Sequence, residues 1–272
     1  MASINLLSQN SLSMTTLKFI QPNRIPTDSD FLWRYYDIHR FLDLLLNRRF
    51  RFSRIDQFED ALEGIPYESL WRMGSLGKEF GIRRTDLLNM PNDFVDRESI
   101  KLYSRVDEVL HIQASTFVSC WFLENRESMA MWNLYSNVDG VAIKVNFGKL
   151  KTLLNPIIED VKIKEYYCGK VTYQDLNLFY PDSPDYLSKI PKAALRKDKS
   201  FSHENEFRFV MKLKNCDDHQ LGIESQIINL KELEMSIICH PQMPDWKKNN
   251  IKDLLKSKNL LSSFRMSGIE LR

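Results

Sequence analysis

Two carboxylates, Glu204 and Glu206, stand two residues apart at the start of an apolar run, Phe207-Arg208-Phe209-Val210. In an extended strand, residues i and i+2 share a face, so Glu204, Glu206 and Arg208 should point one way and Phe207 and Phe209 the other. Two carboxylates held side by side repel each other when ionised. One proton affinity is thereby raised, which equips such a pair for acid–base work or for stabilising a cation. The same spacing also suits a simple ion pair between either glutamate and Arg208 on a solvated strand face.

Other residues could join them. Ser119 lies between Phe117 and Trp121 on one face of the run Phe117 to Phe122, a hydroxyl between two rings. That face could receive a ligand or be covered by a helix. Asp56, Glu59, Asp60 and Glu63 recur at helical spacing and would gather four carboxylates on one side of a helix, for a metal ion or for organising a loop. Arg48, Arg49, Arg51 and Arg54 could grip phosphate or close a helix and begin a strand. Lys192, Arg196 and Lys199, beside Lys189 and Lys197, read as a basic helix that could guide a polyanion or simply face solvent. The histidines His39, His111, His203, His219 and His240 form no metal-ligand pattern, and only His203 adjoins a candidate site. A glycine-rich dinucleotide turn and a P-loop are both missing, which disfavours those nucleotide folds.

The elements that must position these groups are legible from periodicity. Trp33 to Tyr36 reads as a strand, and Asp37 opens a helix carrying Ile38, Phe41, Leu42 and Leu45 on one side, closed by Arg48 and Arg49. A strand Phe50 to Ile55 follows. A long amphipathic helix spans Asn92 to Ile112, with Val95, Ser99, Leu102, Val106, Val109 and Leu110 on its apolar face. Further strands are expected at Thr116 to Phe122, Val141 to Phe147 (half-buried), Lys162 to Tyr166, Lys170 to Tyr173, from Glu206, and at Met235 to Cys239. Short helices are expected at Ser128 to Ser136 and after Asp245. Strands outnumber long helices without alternating with them, which points to an α+β fold with a mixed, mostly antiparallel sheet.

Residues 1–30, polar and interrupted by Pro22 and Pro26, read as a flexible arm ahead of one domain spanning 31–272. With 43% hydrophobic residues, the 272-residue chain can bury a large core. A net charge of +2 provides no global field for nucleic acid or membrane, so any such contact needs a local patch. Cys120, Cys168, Cys216 and Cys239 lack zinc spacing and are expected to be reduced thiols. Neither a signal peptide nor an apolar span is evident, so the expected location is the cytoplasm, with no membrane partner.

Three blocks in order resemble the bacterial family of domain of unknown function 2971. The first is Trp33-Arg34-Tyr35-Tyr36, a helix, a strand and a turn in which Phe58, Asp60 and Glu63 match and Glu59, Ala61 and Leu62 do not. The second holds Ser119, Met131, Trp132, Tyr135 and Gly140; the third holds Glu204, Glu206, Phe207 and Arg208. The order of Arg on a first strand, Ser on a middle strand and Glu-x-Glu late also resembles ADP-ribosyltransferases. That resemblance implies an ADP-ribosyltransferase-like fold and NAD as substrate, without a metal. It makes Glu206 the residue stabilising the ribose cation and Glu204 the one orienting or deprotonating the acceptor. It gives NAD binding to Arg34 and Ser119, with Tyr36 or Trp121 for stacking. It further implies a toxin or anti-phage effector acting on a macromolecule, with an antitoxin as a candidate partner; the basic 192–199 segment favours nucleic acid over protein as acceptor. Two alternatives stand beside it: a metal-dependent nuclease using Asp56, Asp60 and Glu63, and a non-catalytic binding module in which Glu204 and Glu206 are ion-paired away from any cleft.

Overall fold

The structure, a computed structural model, describes residues 17–20, 25–70, 72–73, 86, 88, 97–154, 162–176, 192–215, 220–227 and 229–270, and of residues 97–105 the backbone alone. Val95, Ser99, Leu102, Lys189, Cys216 and His219, as side chains, lie outside the described residues, as do residues 1–16 of the expected arm.

The strands are β1 (Lys18–Phe19), β2 (Phe31–Tyr36), β3 (Arg49–Arg54), β4 (Thr116–Leu123), β5 (Val141–Asn146), β6 (Ile163–Lys170), β7 (Thr172–Gln174), β8 (Arg196–Asp198), β9 (Glu206–Leu213), β10 (Gly222–Gln226), β11 (Ser236–Cys239) and β12 (Phe264–Arg265). The helices are α1 (Ile38–Asn47), α2 (Arg97–Ala114), α3 (Met129–Tyr135), α4 (Phe147–Leu153) and α5 (Asp245–Ser257). Ten strands form one mostly antiparallel sheet whose main path runs β1-β6-β9-β4-β2-β5-β11-β12. Among the described residues only β1 on β6 and β12 on β11 pair in parallel within it, and β7 with β8 make a separate parallel pair. The chain is thus a mixed α/β protein with a largely antiparallel sheet, as its strand-rich pattern predicts.

The sheet forks at β4. Beyond β9 on one side, the N-terminal half of β4 pairs with β3 and its C-terminal half with β2, while β3 carries β10 as a branch. Side-chain alternation then divides the molecule into two faces. On the first face Phe41, Leu44 and Leu45 of α1, Phe147 and Leu150 of α4 and Ile251 and Leu255 of α5 pack with Phe117, Trp121, Phe207, Phe209 and Met211 into the main core. On the second face Trp132 of α3 packs with Trp33, Tyr35 and Phe122, and Ala194 and Leu195 pack with Val118, Tyr167 and Val210. Both faces of β4 and β5 are buried, so β5 is a central strand rather than the half-buried one its alternation suggests. The helix over α2 carries buried Val106 and Val109, but Leu110 is exposed, not core.

Several local expectations are revised. Lys18–Phe19 is not part of a loose arm: it pairs with Tyr167 and Cys168, where Leu17 packs on the core. The basic segment 192–199 is no α-helix; a 3-10 turn (Ala193–Leu195) leads into β8 and then a second 3-10 turn (Lys199–Glu204). The β8 pairing with β7 leaves no room for one continuous helical face, so Lys192, Arg196 and Lys199 do not line up. The acidic segment likewise breaks, with a 3-10 turn at Ile55–Gln57 followed by a bend and turn over residues 58–64. Asp245 is the first residue of α5, with Pro244 at its N-cap. Among the described residues no helix is long and apolar enough to cross a membrane.

The turn into β9 is specified by Asn205, which lies in the left-handed region (φ 37, ψ 53). Asparagine tolerates this conformation better than other non-glycine residues. Its amide donates to Leu123 O at 2.6 Å and to Glu124 Oε1 at 2.9 Å, tying the turn to the end of β4. Asn205→Ala should destabilise the fold by about 2–3 kcal/mol, from the backbone cost and the lost bonds together, and Asn205→Gly by only about 1 kcal/mol. Urea denaturation of the two variants beside wild type measures the difference; equal losses would show that the left-handed turn is not the constraint.

Candidate functional site

Strand alternation puts Glu206 and Arg208 of β9 on the second face, beside Phe122 and Cys120 of β4, which are their cross-strand partners. Glu204 is not in the strand. It ends the preceding 3-10 turn, and the left-handed step at Asn205 returns its carboxylate toward the same place. Lys197, from β8, receives both: its ammonium donates to Glu204 Oε2 at 2.5 Å and to Glu206 Oε1 at 3.1 Å. Arg208 donates from Nε and Nη2 to the two oxygens of Glu206, each at 2.8 Å, and from Nη1 to Ala194 O at 2.9 Å. Glu63 completes the group, ion-paired to Nη2 of Arg208 and 3.8 Å from Lys197. Tyr135, exposed on α3, donates its hydroxyl to Glu204, and Tyr173 accepts from the Glu206 backbone N–H at 2.8 Å. The Phe58 ring lies 5.8 Å from the Arg208 guanidinium.

Gly169 makes this closure geometrically possible. It lies opposite Arg208 on β6, and a Cβ there would come within 2.7 Å of Leu195 Cδ1 and 3.2 Å of Ile20 O. Over that close approach the 193–195 turn lays Ala194 O on the guanidinium.

Glu63, Lys197, Glu204, Glu206 and Arg208 are all at most 6% exposed. Three carboxylates face two cations, so the cluster carries one negative charge in excess unless it holds a proton. Burial of that excess is expensive, and proton affinities adjust. For Glu206 burial pushes upward, but Arg208 and then Lys197 outweigh it and hold the carboxyl well below the usual range. For Glu63 burial wins over Arg208 and Lys197, and the carboxyl is pushed up to about 7. Burial and the adjacent Glu206 raise Glu204 as well. Burial pulls Lys197 down, yet Glu206 and Glu63 more than restore its charge. Cys120, on the same face, is raised by burial and by Glu206, so its thiol stays protonated. The arrangement therefore contains one firmly ionised carboxylate beside carboxyls that favour a proton.

Arg34, Tyr36, Ser119 and Trp121 form a different group, on the first face. Arg34 donates to Ser119 Oγ at 2.9 Å and to Arg51 O at 3.1 Å, and Trp121 Nε1 donates to the same Ser119 Oγ at 3.1 Å. The guanidinium lies 5.4 Å from the Tyr36 ring and 5.6 Å from the Trp121 ring. It thus fills the fork where β4 exchanges β2 for β3. Tyr36, Ser119 and Trp121 are buried beneath α1 and β3, and Trp121 packs edge-on against Phe50. The strands β9, β4 and β2 are neighbours in the expected order, but Ser119 and Glu206 differ by an odd step across the β4–β9 ladder. The expected single cleft of Arg34, Ser119 and Glu206 is not assembled: the sheet separates the first two from the third, because cross-strand partners share a face and next residues do not.

The remaining candidates disperse. Asp56 pairs with Arg54, Asp60 caps the Leu62 backbone N–H, and Glu63 turns inward. Arg49 pairs with Asp43 and Glu224. Among the described residues no three His, Cys, Asp or Glu side chains are grouped to hold a metal ion. Cys120, Cys168 and Cys239 are free thiols. Spacing does not mark Tyr135 and Tyr173 as partners of the glutamates, because each comes from a distant element, and Lys197, close by in sequence, reads instead as part of a basic helix face. The sequence signal that did exist was the joint occurrence of Phe58, Glu63, Tyr135, Glu204, Glu206 and Arg208 in the three blocks, all of which meet here.

Fold and site together define a mixed α/β protein with an ionic cluster buried in one face of its sheet. Residues 131–209 match the family described as protein of unknown function (DUF2971), which bears out the resemblance over that stretch. It takes in Tyr135, Lys197, Glu204, Glu206 and Arg208; the blocks at 33–36 and 58–63 and Ser119 fall outside it. No curated protein and no solved structure matches the chain.

The opposed proton affinities fix a pH response. Glu206, depressed, contributes stability that is present above its unfolded value near 4.5 and is lost as pH falls below it. Glu63, raised, contributes in the opposite sense: its contribution is full below about 4.5 and is lost as pH rises to about 7. Glu63→Gln should remove that second loss. The stability difference between Glu63→Gln and wild type should therefore shift in favour of the variant by on the order of 3 kcal/mol between pH 4.5 and pH 8. Chemical denaturation across that range tests this, and a difference independent of pH would show that Glu63 is ionised throughout.

Proposed function

We propose that the chain is an enzyme of glycosyl transfer that cleaves the nicotinamide N-glycosidic bond of NAD and passes ADP-ribose to a macromolecule, with the Glu204–Glu206 cluster as its reactive centre. The observation that carries this reading is the pair itself: two carboxylates on one ammonium, Glu206 held ionised and Glu204 favouring a proton. Bond cleavage between ribose C1 and the pyridinium nitrogen sends the electron pair to nicotinamide and leaves an oxocarbenium ion, which an ionised carboxylate stabilises. The acceptor then bonds to C1 and gives its proton to Glu204 in its ionised form, whose raised affinity suits a base. Glu204 reaches the surface through Tyr135, the side from which an acceptor would come.

In this reading the ADP-ribosyltransferase-like fold is a matter of neighbouring strands, and Arg34, Tyr36, Ser119 and Trp121 support the sheet instead of gripping NAD. A nucleic-acid acceptor no longer has a basic helix in its favour. Toxin or defence activity, with an antitoxin, extends the same proposal.

A second reading, that the cluster is structural in a non-catalytic module, is favoured by the saturation of Glu206: both its oxygens are engaged by Arg208 and Lys197. One experiment separates them. Purified chain and lysate with labelled NAD should give nicotinamide release and label transfer. Glu206→Gln and Glu204→Gln should lower turnover about 10²- to 10⁴-fold, while Arg34→Lys leaves turnover per folded molecule unchanged. If wild type neither consumes NAD nor labels an acceptor and the Gln variants only melt earlier, the structural reading stands.

A further inference from the structure

A second site lies further along the same face, independent of the role given to the glutamate pair. Beyond Arg208, β9 presents Lys212 on the same side, opposite Glu165 of β6, while Tyr167 lies opposite Val210. There a cavity of about 390 Å³ opens between the turn around Gly64–Glu68, the C-terminal end of α2 and the turn at Lys192–Arg196. This is within the range of roughly 300–1,000 Å³ typical of small-molecule sites. Its walls include Tyr67, Tyr167, Lys192, Arg196, Lys212 and Glu68.

Cations outnumber carboxylates among the residues that line it. Lys192 lies 4.8 Å from the Tyr167 ring and is paired with Glu165, and Arg196 lies 5.8 Å from the Tyr67 ring and donates to Ile65 O at 2.5 Å. Glu68 is exposed at the rim. Among the described residues the Lys212 ammonium has no hydrogen bond and no ion pair. It is partly buried, and burial, opposed by Glu165 but aided by Lys192 and Lys164, lowers its hold on its proton. Two ammonium groups and a guanidinium thus border a concave space with only one carboxylate on its wall. An ammonium already stripped of much of its water, whose nearest carboxylate, Glu165, is engaged by Lys192, gains most from an anion that brings several acceptor oxygens.

We propose that this cavity binds a small phosphate-bearing molecule, with the phosphate oxygens on Lys212 and Lys192. The dimensions suit a sugar phosphate or mononucleotide and not a polymer. Because Ala194 lines the cavity and its carbonyl accepts from Arg208, an occupant would rest one residue from the ionic cluster.

Isothermal titration of the full chain with pyrophosphate and with AMP, at constant ionic strength set with chloride, tests the site. Saturable binding of at least one probe is expected, weakened tenfold or more in both Lys212→Met and Lys192→Met and unchanged in Lys214→Gln, an exposed lysine two residues along. Since Lys192 and Lys212 come from different elements, loss of folding in one variant leaves the other to decide. Absence of saturable binding by either probe, or binding that survives both substitutions, would overturn the proposal. NAD turnover plays no part in the readout, so this result and that of the glutamate pair are separate.

Discussion

The guanidinium of Arg208 is the group around which the second face is organised. It is fully buried on a central strand, and arginine does not relieve burial by losing its proton. Its charge and donors must therefore be met from inside the protein. Glu206 meets two of them from the same strand, Ala194 O a third, and Glu63 adds charge from a turn far away in sequence. Each partner recruits another: Glu206 needs Lys197, and Lys197 brings Glu204, which engages Tyr135. Segments from residue 58 to residue 208 are thus drawn to one point by a single charge that cannot be shed. Such a cluster adds little net stability compared with an apolar core, but losing one member strands the others without compensation.

That high stake is also why the cluster is the best candidate for chemistry. Burying five ionisable groups is a poor route to stability, and strongly split proton affinities gather at functional sites. Here the split has a definite origin. Glu206 lies in the fork of Arg208, whose charge outweighs its burial, whereas for Glu63 and Glu204 burial outweighs the cations beside them.

The other charged cluster serves the sheet. Where β4 turns from β2 to β3, backbone carbonyls and the Ser119 hydroxyl would face a gap in the ladder, and the Arg34 side chain occupies it between two aromatic rings. The same alternation that gives β9 one charged side and one aromatic side therefore places Arg34 and Ser119 on the far side of the sheet from Glu206. Neighbouring strands do not guarantee a shared cleft; parity of position along the ladder decides it.

Period-2 and helical patterns were sufficient for the strands β2, β4, β5 and β9, for α1 and α3, and for the opposite sides taken by Phe207 and Arg208, since these depend on local geometry and on which side chains avoid water. The Glu-x-Glu and the aromatic flanks of Ser119 were likewise visible. Local pattern failed at residues 192–199 and 56–63, which look like solvated helix faces; Lys192, Lys199, Asp56 and Glu59 do face solvent, but Arg196, Lys197 and Glu63 are turned inward, Glu63 by Arg208, more than a hundred residues away. What the chain alone determined was the set of chemically capable residues and the alternation that sorts them within each strand. Which of them meet was decided only by the tertiary structure, because the register of β4 against β9 and the burial of Arg208 are properties of paired strands and of a closed core, and neither exists until distant segments are brought together.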